Sequence, residues 1–368
     1  MPLVTLVTGH YLLSRRRAGF HWLADAYYRM GWRVLFLCGA ISYLSIPRRD
    51  HRLHYPVWRQ AGQLIEVAPN LYSFVWWTPY HAVNLRNRLV NHLVLPLFRR
   101  YGRQALGAAE PLVRQSDLVI VESSPALMLT DQLRRLAPAA RFVYRVSDDL
   151  DVLKSHRAVI EAEARLAGGF DRISVPAPRL ARRFAHLPQT TIDPHGLARH
   201  LFDQPHANPY PGPFAKNALF IGVSRLDTSF IAIAARRFPQ VGFHLIGDLP
   251  APARRANIIA HGEMAFEETI AYLQHADVGL HCLTVGPGVE VFARSLKVVQ
   301  YRYCGLPVVT PQPLVQGREG FFGYRPGDAE SIAKALEAAL ATPRHRAPDD
   351  AGPPSWDHLA QSLAAGLA

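Results

Sequence analysis

The chain has 368 residues, 49% hydrophobic and 19% charged, an ordinary globular composition with room for two domains of roughly 150–200 residues. No apolar run approaches the ~18 residues of a membrane-spanning helix, and the odd set Cys38, Cys282 and Cys304 excludes a disulfide framework and reads as free thiols of a reducing compartment. The formal net charge of +12 suits anionic partners, whether lipid, phosphorylated ligands or nucleic acid, or reflects a genomic bias toward arginine codons.

The first apolar run, residues 3–9, closes on Gly9 and reads as a buried parallel strand; it precedes the charges and no small-residue cleavage site follows, so a cytoplasmic chain is expected. Phe20, Leu23, Tyr27 and Met30 recur at helical spacing, and residues 33–39 form a second strand, completing a βαβ unit. Most of the excess charge lies in residues 1–110, as Arg15, Arg16 and Arg17, RRDHR at 48–52 and FRRYGR at 98–103. Aromatic residues such as Trp22, Trp58, Trp76 and Trp77 lie among these clusters. Basic residues mixed with aromatic and apolar ones suit an anionic membrane interface; single-stranded nucleic acid would suit them too, but no nucleic-acid-binding motif accompanies them.

Residues 117–123 and 141–147 are further buried strands with a helix near 126–136 between them, and 171–177 is another strand. Gly9 and His10 follow the first strand, where a glycine lets a ligand approach the backbone. Asp148, Asp149 and Asp151 follow the 141–147 strand at its carboxyl end, where open α/β sheets bind ligands. A carboxylate there, its pKa raised by burial and by neighbouring acids, can act as a general base. The same residues also fit a helix N-cap with first-turn acids, and Asp149-Leu150-Asp151 spells the D-x-D of some metal-dependent transferases.

The proline- and glycine-rich segment 205–213 reads as a linker, with His195 as a hinge residue before it. The strand–helix alternation then restarts with strands at 218–224, 242–248, 257–262, 277–283 and 307–311. Glu263 and Met264 lie between a strand and a helix, fit to meet a ribose and a base, or to be a loop acid and a core methionine. Ser295 opens a helix that Gly305 and Pro307 close; Lys297 in its first turn is unfavourable unless an anion is present, and Gln300 shares its face. A solvated lysine on an amphipathic helix is the plainer alternative.

SDLVIVES (116–123), APAARFVYRVSDDL (137–150), GEMAFEETIAYLQHA (262–276) and SLKVVQYRYCGLP (295–307) together resemble glycosyltransferase family 70, the GumK type. The resemblance implies a GT-B fold, two Rossmann-like doubly wound α/β domains facing a central cleft. It also implies an inverting, metal-independent enzyme without cofactor that moves glucuronic acid from UDP-glucuronate to a polyprenyl-diphosphate-linked oligosaccharide in exopolysaccharide assembly, on the inner membrane surface. It places the catalytic aspartate at Asp148 and the donor contacts at Glu263, Met264, Lys297 and Gln300. Ser224, Leu283 and Leu296 stand where the family has methionine, tyrosine and methionine, which leaves room for a different UDP-sugar. The implied partners are a UDP-sugar donor and the lipid-linked acceptor; Arg15, Arg16, Arg17, Trp76 and Trp77 are the candidates to meet the acceptor or an anionic membrane surface, the arginines otherwise being simply solvated, and no nucleic acid is expected. Residues 1–200 are expected to form the acceptor and membrane domain, 214–340 the donor domain, and 341–368 a tail that crosses back. A nucleotide-sugar epimerase and a non-catalytic membrane scaffold are the rival readings.

Overall fold

Long apolar runs form central strands because both faces of a parallel sheet are covered, so every position of such a strand must be buried. A computed structural model describes residues 1–210, 212–222, 225–249, 254–345 and 353–367. The chain divides into two compact units, Met1–Gly196 with Trp356–Ala368, and Leu197–Ser355.

The first unit is built on β1 (Leu3–Thr8), β2 (Arg33–Ser42), β3 (Leu64–Ala68), β4 (Leu71–Thr78), β5 (Leu118–Glu122), β6 (Arg141–Arg145), β7 (Arg172–Val175) and β8 (Thr190–Ile192). They lie in the order β3-β4-β2-β1-β5-β6-β7-β8. All pairs are parallel except the β3–β4 hairpin. Every residue of β1 and of β5 is buried, as central strands require. The helix Gly19–Arg29 follows β1 and turns Phe20, Leu23 and Tyr27 inward. The helix expected near 126–136 begins as a tight turn over Pro125–Leu129 and becomes α-helical only from Thr130 to Leu136.

The chain returns to this unit after leaving it. The helix Trp356–Ala364 buries Trp356, Leu359 and Leu363. The Tyr27 hydroxyl donates to the carbonyl of Ala360 at 2.9 Å, Arg29 pairs with Asp357 at 2.6 Å, and Arg172 donates to the Ser362 hydroxyl at 3.0 Å.

The second unit has β9 (Lys216–Ile221), β10 (Val241–Ile246), β11 (Ile258–Gly262), β12 (Val278–Leu280), β13 (Val308–Pro311) and β14 (Phe321–Tyr324), in the order β11-β10-β9-β12-β13-β14. All of these pairs are parallel. The helices Thr228–Arg237, Phe266–His275 and Leu296–Tyr303 connect strands of this sheet, and Ala329–Ala341 follows β14. Among the described residues no helix is long and apolar enough to cross a membrane.

Candidate functional site

Parallel strands release their loops at one edge of the sheet, so the residues that follow neighbouring strands gather there. In the first unit this brings together the ends of β1, β5 and β6. Glu122 closes β5 and is buried. Its carboxylate accepts from the Thr8 hydroxyl, from the backbone N–H of Gly9 at 3.2 Å and from the Ser147 hydroxyl at 3.2 Å. His10 Nε2 lies 3.5 Å from Glu122 Oε1. Buried Arg52 pins the surrounding loops, donating to the carbonyls of Gly9, Gly39 and Ala40 at 2.8, 2.9 and 2.7 Å.

Asp148 follows β6, and its backbone N–H is held by the Ser123 hydroxyl at 3.0 Å. Burial raises its carboxyl to about 6; the Glu122 charge adds to the rise and His10 opposes it. Burial alone would raise Glu122 as well, but His10 and the donors around it hold that carboxylate at about 2. Burial would lower His10, and the Glu122 charge reverses the sign and raises it. His21, 5.6 Å from His10 between ring centres, is pushed down to about 3 by burial and by His10. One edge of one sheet thus holds an ionised Glu122, a histidine biased toward its cation, and an aspartate that exchanges a proton near neutral pH.

Asp149 and Asp151 have another task. Asp149 Oδ1 accepts from the N–H groups of Asp151 and Val152 at 2.9 and 3.2 Å and from Arg183 at 2.9 Å; Arg183 also pairs with Asp151 and, at 2.5 Å, with buried Glu163. The D-x-D tripeptide is the outer half of an arginine clamp.

In the second unit the corresponding edge carries Gly222, Glu263 and the loop after β12. Lys297 reaches back from the helix Leu296–Tyr303 and sets Nζ over the Phe220 ring, 4.5 Å from its centre. Gly222 has φ +159°, and a Cβ there would lie 2.6 Å from Lys297 Nζ, so a side chain at this position would push the end of the lysine aside. Burial lowers Lys297 to about 8. Ser295 occupies the N-cap position, but its side chain makes no cap; its hydroxyl lies 3.4 Å from His281 Nε2. Gly305 takes the left-handed conformation that ends the helix, φ +73°. Gln300 is buried, Leu296 half-buried, and Glu263 and Met264 are half-buried in the turn after β11.

Several expectations change. Trp76 lies in the covered centre of β4, 2% exposed, with its ring 4.7 Å from Tyr101 and its Nε1–H donating to the carbonyl of Ala105, so it belongs to the core and not to a membrane contact. Trp77, on the opposite face, is half-buried with its edge toward Tyr43. Arg15 is exposed and Arg16 half-buried, whereas Arg17 pairs with Asp25 and stacks over Trp22 at 4.5 Å. Leu283 is 3% exposed in the core of the second unit, so its side chain is unavailable to a sugar. Ser224 lies outside the described residues. Glu122 was not singled out from the sequence; the only signal was a carboxylate ending an otherwise apolar run.

Residues 6–176 match the family described as glucuronosyltransferase GumK, N-terminal domain. The UDP-glucuronate:glycolipid 2-beta-glucuronosyltransferase of Xanthomonas campestris pv. campestris is 28% identical over 349 residues, 94% of this chain and 86% of that protein. The first unit thus matches the GumK N-terminal domain, and the chain is similar to a GumK-type glycosyltransferase over most of its length. Solved structures show the same GT-B fold. Anabaena HepE in complex with UDP and glucose has a TM-score of 0.57 at 15% identity over 99% of this chain and 94% of that one. A trehalose-phosphate synthase of Burkholderia xenovorans has a TM-score of 0.58 at 15% identity over 94% and 93%.

Proposed function

We propose that the chain transfers glucuronic acid from UDP-glucuronate to a lipid-linked oligosaccharide, in exopolysaccharide assembly at a membrane surface, with Asp148 as the general base and inversion at the anomeric carbon. The observation that carries the reading is Asp148 itself: a carboxyl at the carboxyl edge of the sheet, raised to about 6 beside an ionised glutamate. Such a group is ionised at neutral pH yet basic enough to take a proton as an alcohol becomes a nucleophile.

In this reaction the acceptor oxygen forms a bond to the anomeric carbon while the bond from that carbon to the β-phosphate oxygen breaks. The bonding pair leaves with UDP, and the hydroxyl proton passes to Asp148. The Xanthomonas relative is a 2-beta-glucuronosyltransferase, which supports inversion, because UDP-glucuronate carries an α linkage. The leaving diphosphate needs positive charge, and Lys297 and the first N–H groups of its helix are the groups we assign to it. Glu263, Met264 and Gln300 are assigned to the nucleoside. No step is given to a metal, because Asp149 and Asp151 are bound to Arg183.

Calorimetric binding of UDP, UDP-glucuronate, UDP-glucose and GDP-mannose, followed by transfer assays on wild type and Asp148→Asn, tests the proposal. UDP-glucuronate should bind best, and Asp148→Asn should bind it normally without transferring it. Preference for another UDP-sugar would replace the donor, and normal turnover by Asp148→Asn would remove the base.

A further inference from the structure

The helix Arg88–Phe98 differs from the other helices of the first unit in how it treats its leucines. Leu95 and Phe98 are buried in the core, but Leu89, Leu93 and Leu97 are 68%, 67% and 45% exposed, and Val90 is 38% exposed beside them. The three leucines fall at i, i+4 and i+8, one stripe down one face. Soluble proteins seldom leave such a stripe uncovered without a partner for it.

The charges beside the stripe indicate what covers it. From residue 67 to residue 109 the chain has no Asp or Glu, while Arg86, Arg88, Arg99, Arg100 and Arg103 all lie within that span, and all five are exposed. At the carboxyl end of the helix a cavity of about 750 Å³ opens, lined by Arg99, Arg103, Arg135 and Arg165 together with Asp131 and Glu161. Arg99 binds Glu161 through two bonds of 2.9 and 3.1 Å, and Arg165 pairs with Asp131 at 2.8 Å. Those pairs use both carboxylates. Among the described residues, Arg103 and Arg135 have no acidic partner.

We propose that the Arg88–Phe98 helix is the membrane-docking element, its leucine stripe lying among the acyl chains and the arginine-lined cavity at its end receiving the phosphate of an anionic phospholipid headgroup. The inference deepens the reading of a lipid-linked acceptor and rests on it for its purpose. It moves the membrane contact away from Trp76, which the core has taken. An apolar stripe flanked by arginine is what an interfacial helix needs, and neither part suffices alone, because an anionic surface supplies charge and acyl chains supply the apolar medium.

Flotation of the full chain with vesicles tests it, using phosphatidylcholine alone and phosphatidylcholine mixed with phosphatidylglycerol. Wild type should float with the mixed vesicles and far less with the neutral ones. Leu93→Asp should lower binding by roughly tenfold or more, and the Arg103→Gln/Arg135→Gln pair should lower it by roughly fivefold for each arginine, while Arg15→Gln/Arg16→Gln retains most of it. Unchanged binding in Leu93→Asp would overturn the docking helix, and unchanged binding in the arginine pair would overturn the cavity. A solution dimer that Leu93→Asp dissociates would give the stripe to a second copy of the chain and also overturn the inference. Circular dichroism and the melting temperature, measured on each variant, should not change and so verify that the first unit is folded. A wild type that binds UDP-glucuronate but no vesicle would sink the docking inference while leaving the donor assignment intact.

Discussion

His10 and Glu122 pair across 3.5 Å at the ends of two adjacent strands, and Asp148 follows the next strand over. The pair sets much of the electrostatics around Asp148. A glutamate that stays ionised keeps the aspartate from being too weak a base, and the histidine beside it keeps two carboxylates from repelling each other outright.

Glu122→Gln retains the shape of the acceptor but removes its charge. His10 loses the reason for its raised pKa, so the rise that Glu122 gives Asp148 disappears and the smaller opposition from His10 weakens with it, leaving burial as the main cause. The acid limb of the kcat/KM profile, which reports the free base, should move to lower pH by roughly half a pH unit. An unmoved limb would mean burial alone sets the base. Glu122 itself is held low in the folded state, so its contribution to stability is complete above its ordinary value of 4.5 and should fade as pH falls from there to about 2; melting temperature against pH in wild type and Glu122→Gln reads this directly.

Asp148 has the opposite sign. A carboxyl raised from 3.8 to about 6 binds more protons folded than unfolded between those values, so it costs stability as pH rises through that window, and the cost is complete above it. Asp148→Asn removes the charge. Transfer should fall by at least roughly a hundredfold, while stability at pH 7 rises by on the order of 2 kcal/mol. Denaturant titration beside the activity assay measures both, and a destabilised variant would contradict the environment described for Asp148.

Lys297 and Gly222 are expected to fail together. Lys297→Met removes the half-buried cation and should weaken UDP binding by roughly tenfold or more. Gly222→Ala leaves the lysine in the chain but places a methyl where Nζ lies, so it should weaken UDP binding without altering charge. Because burial holds Lys297 near 8 in the free protein and a bound diphosphate favours the cation, UDP affinity should fall as pH rises past about 8. Calorimetry at several pH values checks all three.

Arg183 binds Asp149, Asp151 and Glu163 at once. Arg183→Ala leaves Glu163 buried without its cation and should destabilise the first unit by roughly 3–5 kcal/mol. With the D-x-D carboxylates already occupied, transfer by wild type should continue in EDTA; loss of turnover on chelation, restored by a divalent ion, would contradict the clamp.

The strands that later proved central were legible because a strand covered on both faces must be apolar throughout, as in residues 3–8 and 118–122. The β3–β4 hairpin was not: β3 is half-buried and includes Glu66, and the aromatic residues of β4 resemble an interfacial cluster when the core that absorbs Trp76 is unseen. Asp148 could be placed because it directly follows a readable strand. Glu122 could not, since its importance comes from β5 lying between β1 and β6, an adjacency that separation along the chain hides. The same holds for Arg183, whose claim on Asp149 and Asp151 argues against the metal reading of the D-x-D tripeptide.

The helix Trp356–Ala364 belongs to the unit that begins at Met1, and this governs the order in which the molecule can be completed. Domains usually fold in turn as a chain is synthesised. Here Tyr27, Arg29 and Arg172 are made early, and their partners Ala360, Asp357 and Ser362 are made only after the whole second unit. The first unit must therefore wait, with one helix face uncovered, while the second is synthesised and folds. A ribosome that stalls within the second unit would release a chain whose earliest-made half is the unfinished one, the form that chaperones and proteases recognise.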